Sequence, residues 1–165
     1  MSKILITGVG GLLGSRLADW IINNTDNDIV GIDDFSGGYI ENVNKKIALY
    51  KFNLTDLNKL NDVFKKENID IVYHFAAYAA EGLSPFIRKF NYENNVIAST
   101  NLITCSIEHD IKRFVFSSSM AVYGDKYEPP FNEDLIQSPI DPYGIAKYAV
   151  EMDLKIASIQ HGLKY

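Results

Sequence analysis

Residues Ile6-Thr7-Gly8-Val9-Gly10-Gly11-Leu12-Leu13-Gly14 constrain the fold of this chain more than any other segment. An apolar run, Lys3–Thr7, enters a turn with glycine at 8, 11 and 14, and an apolar helical pattern (Leu12, Leu13, Leu17, Trp20, Ile21) follows. Strand, glycine turn and helix form a cradle for a pyrophosphate. Gly8 permits the tight turn, Gly11 lets the backbone approach the phosphates, and Gly14 lets helix and strand pack closely. Free N–H groups at the helix start face the anion, and the helix dipole aids them. Nineteen residues after Gly14, at the end of a second apolar strand, stands Asp33. A carboxylate there accepts hydrogen bonds from ribose hydroxyls and repels a 2′-phosphate, which favours NAD over NADP.

The rest of the chain alternates in the same way. Strands are expected near 3–7, 28–33, 47–52, 69–75 and 113–117, and helices near 12–23, 57–67, 92–109 and 143–161. Repeated strand–helix alternation implies an α/β fold: a doubly wound parallel sheet with helices on both faces, carrying its ligand beyond the carboxyl ends of the strands. A chain of 165 residues fits one domain. No apolar run is long enough to span a bilayer, so no membrane role is expected. The net charge of −5, without a basic cluster, argues against nucleic acid. His74, His109 and His161 are isolated, so no metal site is expected, and His74 reads as a packed strand residue. A single cysteine, Cys105, forms no internal disulfide and suits a reducing cytoplasm.

A second segment carries chemistry. Tyr143 and Lys147 are four apart and share one face of a helix. An ammonium about 4–5 Å from a phenolate stabilises it by about 4 kcal/mol at most, at an effective dielectric of about 20. A bound oxidised nicotinamide adds more positive charge, and Tyr143 is then expected to act as a base near neutral pH. Ser119, in the serine run after the fifth strand, is placed to hold the oxygen that Tyr143 deprotonates.

Together these segments resemble the N-terminal part of an extended short-chain dehydrogenase/reductase of the NAD-dependent epimerase/dehydratase family. The matching stretches are Thr7-Gly8-x-x-Gly11-x-x-Gly14, Asp33–Gly37, His74–Ala77, Tyr92–Val96, Ser117–Ser119 with Val122-Tyr123-Gly124, and Pro142-Tyr143-Gly144 with Lys147. The resemblance implies a Rossmann fold, NAD as cofactor, and Ser119, Tyr143 and Lys147 as the catalytic set. Lys147 would also hold the nicotinamide ribose. Gly8, Gly11, Leu12, Leu13 and Gly14 would surround the pyrophosphate. Asp33 would hold the adenosine ribose, and Asp34, Phe35, Ser36 and Gly37 would wrap the adenosine. Asn53 and Leu54 would lie near the adenine; Asn53 departs from the family's usual Asp there and is expected to meet the adenine amino group through its side-chain oxygen. Phe75, Ala76, Ala77, Tyr78, Ala79, Asn94 and Ser117 would complete the cofactor site.

Ser119 is followed by Met120 and Ala121, neither of which transfers a proton. Dehydration is therefore disfavoured, and the resemblance points to a UDP-glucose/UDP-galactose 4-epimerase-like reaction through a 4-keto sugar. The alternatives are a non-catalytic NAD-binding module, or another nucleotide-sugar oxidoreductase or decarboxylase of the family. The resemblance also implies a chain about twice as long, so residues 1–165 read as an incomplete NAD-binding domain without its substrate-binding domain. Leu163–Tyr165 would begin a sixth strand, and strand five would present an unpaired edge. Such a fragment is expected to bind NAD weakly and turn over poorly. A homodimer through helices 92–109 and 143–161 is a further expectation.

Overall fold

The computed structural model describes residues 1–165. Its strands are β1 (Lys3–Thr7), β2 (Asp28–Asp33), β3 (Ala48–Lys51), β4 (Ile71–His74) and β5 (Arg113–Phe116). They form one parallel sheet in the order β3-β2-β1-β4-β5. The order reverses at β1, which puts the glycine turn at the switch point of a Rossmann-like sheet.

Side chains of β1 alternate between two cores. Ile4 and Ile6 point to the face covered by α1 (Leu12–Asn24), where they join Val9, Ala18, Ile21 and Ile29. Leu5 points to the other face, covered by α2 (Leu57–Glu67), α4 (Ala98–Glu108) and α5 (Pro142–His161). There it joins Val30, Phe64, Leu102, Phe114 and Leu154, all almost fully buried. Both faces are thus apolar, as a parallel sheet requires.

Local chemistry sets the ends of the helices. Asp56 caps α2 by accepting from Lys59 N–H, and Asn68 ends it in the left-handed region at φ 50°. Asp141 caps α5 by accepting from the N–H groups of Tyr143 and Gly144, Pro142 opens the helix, and Gly162 closes it at φ 73°. Gly11 precedes α1 with no side-chain cap, which leaves the first-turn donors available.

Two expectations need correction. The single helix placed at 92–109 is instead α3 (Arg88–Tyr92), a π turn (Glu93–Ile97) and α4. Asn91 and Asn95, four apart on one face of this segment, are both buried, and Asn95 donates to Asn91 at 2.8 Å. Leu163–Tyr165 form no strand. Leu163 is nonetheless buried, and Phe114 N–H donates to Lys164 O at 2.8 Å, so the outer edge of β5 is covered at one point.

Candidate active site

A cleft opens at the carboxyl ends of β1, β2, β3 and β4. Gly8 and Gly11 form one wall, and Asp33, Asp34, Ser36 and Gly37 a second. Asn53 and Leu54 follow β3, Phe75, Ala76, Ala77 and Tyr78 follow β4, and Asn94 closes the cleft from the π turn. Ile32, Gly38, Phe52 and Ala98 also line it and escaped the sequence reading. Each neighbours a named residue in the chain or lies one helical turn from one, the signal that would have found them.

The glycine turn is tight enough to need its glycines. A Cβ on Gly14 would fall 2.2 Å from Gly8 O. Gly8 sits at φ 71°, and a Cβ there would fall 2.7 Å from Ala76 N. Leu12 and Leu13 turn their side chains to solvent, so only their backbone faces the turn. The Asp33 carboxylate accepts from Gly10 N–H at 2.8 Å and Phe35 N–H at 2.7 Å. Gly10 O accepts from Tyr39 N–H and from Asn42 Nδ2, both at 3.0 Å. The loop after β2 thereby clasps the glycine turn. Phe35 adopts φ 59°, with its ring against Gly10 and 5.4 Å from Lys51 Nζ, so it braces the turn from outside the cleft lining. Ala79 lies exposed beyond that lining.

Asn53 behaves differently from the sequence expectation. Its side-chain oxygen accepts from Thr55 N–H at 2.9 Å and Thr55 Oγ1 at 2.8 Å. Both lone pairs are spent on this local cap, so the oxygen is not available to an adenine amino group.

Ser117, Ser119, Tyr143 and Lys147 form a second cluster, past the enclosed cleft and at the end of β5. Lys147 is buried, and its Nζ donates to Ser117 O at 2.9 Å. The ammonium lies 4.7 Å from the Phe116 ring centre and 5.8 Å from that of Tyr143. Burial pushes Lys147 down to about 8. Ser119 Oγ accepts from Ala121 N–H and starts the 3-10 turn Met120–Val122. Ser118 is turned away and donates to Glu151.

The phenol of Tyr143 is not acidic in this arrangement. Burial pushes it above its usual range; Ser119 favours the ionised form, but the charges of Glu81 and Asp141 add to the upward push. The ammonium is directed at the Ser117 carbonyl and makes no hydrogen bond to the phenol. A sequence shows the i,i+4 spacing of Tyr143 and Lys147. It does not show that Glu81, on a 3-10 turn (Glu81–Phe86), approaches the same phenol. The Asp141-Pro142 pair, in contrast, is a legible helix start.

A buried polar chain joins the two clusters. Ala76 N–H donates to Thr7 Oγ1, which contacts His74 Nδ1 at 2.7 Å; His74 Nε2 contacts Ser99 Oγ at 2.8 Å, and Ser99 donates to Asn95 O. Because the Ser99 proton is committed to Asn95 O, the His74 proton sits on Nε2 and Nδ1 accepts from Thr7. Burial, then the Lys147 charge, pushes His74 down to about 3, so it stays neutral. Asn95 clamps the peptide groups of Tyr78 and donates to Asn91, which donates to Pro142 O beside Tyr143.

Comparison with known proteins fits this geometry. The chain is 33% identical over 162 residues to a UDP-glucose 4-epimerase of Halalkalibacterium halodurans, covering 98% of this chain and 48% of that protein. It is 32% identical to the UDP-glucose 4-epimerase of Streptococcus mutans, with 98% and 49% covered. The chain thus spans about half the length of the relatives it matches. Among solved structures it is similar to a Thermotoga maritima UDP-glucose 4-epimerase with UDP-glucose (TM-score 0.95, 34% identity, 99% of this chain and 53% of that one). A Brucella ovis UDP-glucose 4-epimerase in complex with NAD gives TM-score 0.94 at 29% identity, covering 100% and 50%. The model of the NAD dependent epimerase/dehydratase family matches residues 4–165. The chain belongs to that family.

Proposed function

We propose that this chain is the NAD-binding and catalytic part of a sugar-nucleotide epimerase, with UDP-glucose and UDP-galactose the leading substrate pair. One observation carries the reading: Ser119, Tyr143 and Lys147 converge beyond the same sheet end as the glycine-turn cleft. The cleft fits a dinucleotide. Its turn has no room for Cβ atoms at Gly8 and Gly14, and the first-turn N–H groups of α1 lack intrahelical acceptors. Gly8, Gly11 and the backbone of Leu12 and Leu13 would hold the pyrophosphate, and Asp33 the adenosine ribose. NAD, when bound, supplies a reversible hydride acceptor. Tyr143 takes the proton from a sugar hydroxyl, and Ser119 holds that oxygen. Lys147 holds the nicotinamide ribose and supplies the positive charge that Tyr143 needs, which requires its ammonium to turn from Ser117 O toward the ligand. Met120 and Ala121 offer no proton, which favours epimerisation over dehydration.

A homodimer in a reducing, cytoplasmic setting is the finer reading. Ile145, Met152, Ile156 and Ile159 form an exposed apolar stripe along α5, spaced like a coiled-coil seam. A light-scattering mass of two chains at micromolar concentration supports the dimer, and a mass of one chain removes it. The functional test is calorimetric NAD titration of wild type and Tyr143→Phe, followed by conversion of UDP-galactose. Saturable binding by both, with conversion confined to wild type, supports the reading; no saturable NAD binding by wild type overturns it.

A further inference from the structure

One polar bridge in the cleft has no part in the proposed proton transfers. Asn53 Nδ2 donates to Asp34 Oδ2 at 2.6 Å and to Asn94 Oδ1 at 2.9 Å. With its oxygen committed to Thr55, both N–H groups and both lone pairs of the amide are occupied. Turning the amide over would set its oxygen against the Asp34 carboxylate and its N–H groups against Thr55 N–H, so the orientation is fixed by its neighbours. Residue 53 has nothing left for a ligand.

Asp34 does. Its Oδ1 accepts from Ser36 N–H at 2.9 Å and Ser36 Oγ at 2.6 Å, while Oδ2 accepts from Asn53 alone. A carboxylate oxygen has two lone pairs, so Oδ2 retains one. Burial opposes ionisation, but the hydrogen bonds from Ser36 and Asn53 outweigh it and hold the Asp34 carboxyl below the usual range. The same cleft is lined by Ile32, Phe52, Leu54 and Ala98. Apolar walls accept a flat heteroaromatic ring, and an ionised acceptor among them requires an N–H donor. An amino group on the ring satisfies it, whereas an oxo group sets oxygen against oxygen.

We propose that Asp34, held in place by Asn53, selects a purine with a 6-amino group, so that Asp34 is the specificity-determining residue for the base and Asn53 its positioning residue. This rests on the NAD reading above and names the base-reading group within it. An aspartate at 53 would face Asp34 as a second carboxylate, whereas Asn53 leaves the 34–53 pair with one.

The test is calorimetric titration of NAD and of nicotinamide hypoxanthine dinucleotide, its 6-oxo counterpart, into four folded chains: wild type, Asp34→Asn, Asn53→Asp and the exchanged double variant. Circular dichroism confirms folding of each. Wild type prefers NAD by about tenfold or more, the cost of an unpaired acceptor. Asp34→Asn brings the two dinucleotides within about threefold, because an amide can present either N–H or oxygen. Asn53→Asp weakens NAD binding about tenfold through repulsion between adjacent carboxylates. The double variant recovers affinity and the preference for NAD, a rescue that damage to the cleft alone would not give. Saturable NAD binding with equal affinity for the 6-oxo dinucleotide overturns the proposal and leaves the NAD reading standing. Failure of wild type to bind either dinucleotide overturns both.

Discussion

Replacing Lys147 with methionine is expected to stabilise the fold while removing a group the proposed chemistry needs. The ammonium is buried, and burial lowers it from 10.5 to about 8. At about 1.4 kcal/mol per unit, keeping the charge inside costs about 3 kcal/mol. Methionine keeps most of the length without the charge. It leaves Ser117 O without its 2.9 Å donor, a loss of about 1 kcal/mol. The net expectation is a gain of about 2 kcal/mol at pH 7. The sign with pH follows from the lowered value. Below about pH 8 the lysine is charged in both folded and unfolded chains, and the full cost is present. Between about 8 and 10.5 the folded chain sheds the proton first and the cost fades, so wild type gains on the variant as pH rises. Urea denaturation of both proteins from pH 7 to 10 reads the difference directly. A destabilised Lys147→Met, or a gap that stays constant across that range, would refute the reasoning. Such a trade between stability and function is common where a site strains its own fold.

Four further expectations concern other parts of the molecule. His74 is held neutral down to about 3 while an unfolded histidine takes a proton near 6.5, so stability falls by about 1.4 kcal/mol per pH unit through that window; His74→Gln lacks this slope in acid denaturation. Gly14→Ala is expected to cost about 3 kcal/mol or more, since its Cβ would meet Gly8 O, whereas Gly37→Ala, with open space around it, changes the melting temperature little. Asp141→Ala removes the cap of α5 at about 1–2 kcal/mol and also removes a charge that pushes Tyr143 upward, so the phenol titrates lower in a tyrosine-labelled NMR series. Cys105 is buried, donates to Asn61 Oδ1, and is pushed up to about 11, first by burial and then by Glu108; it is expected to resist a thiol reagent at pH 8 until denaturant is added.

Much of the architecture is legible in the sequence because its causes are local. The glycine turn, the caps at Asp56 and Asp141 and the alternation of strands with helices are written in neighbouring residues. The π turn is not, and neither are the tertiary hydrogen bonds beside it, from Asn91 to Pro142 O and between Asn95 and Tyr78, because their partners lie far away in sequence. The same limit applies within the site. Spacing shows that Tyr143 and Lys147 share a helix face, yet the ammonium's direction depends on Ser117, thirty residues away in sequence. The commitment of Asn53 to Thr55 and Asp34 likewise depends on a loop conformation that residue type alone leaves open. The charge of Glu81 reaches Tyr143 only because a short turn docks on α5 through Ser84, whereas that of Asp141, two residues away at the start of the same helix, is local.

On the proposed reading, a dinucleotide in the glycine-turn cleft meets the Tyr143 phenol and changes its acidity. The measurement that tests it most directly is the titration of the Tyr143 ring carbon in the tyrosine-labelled chain, with and without saturating NAD. Saturable binding, a shifted Tyr143 resonance and a lower pKa in the complex are expected, as Lys147 turns to the ligand and the nicotinamide adds positive charge. Binding that leaves the Tyr143 pKa where burial, Glu81 and Asp141 hold it would contradict the claim.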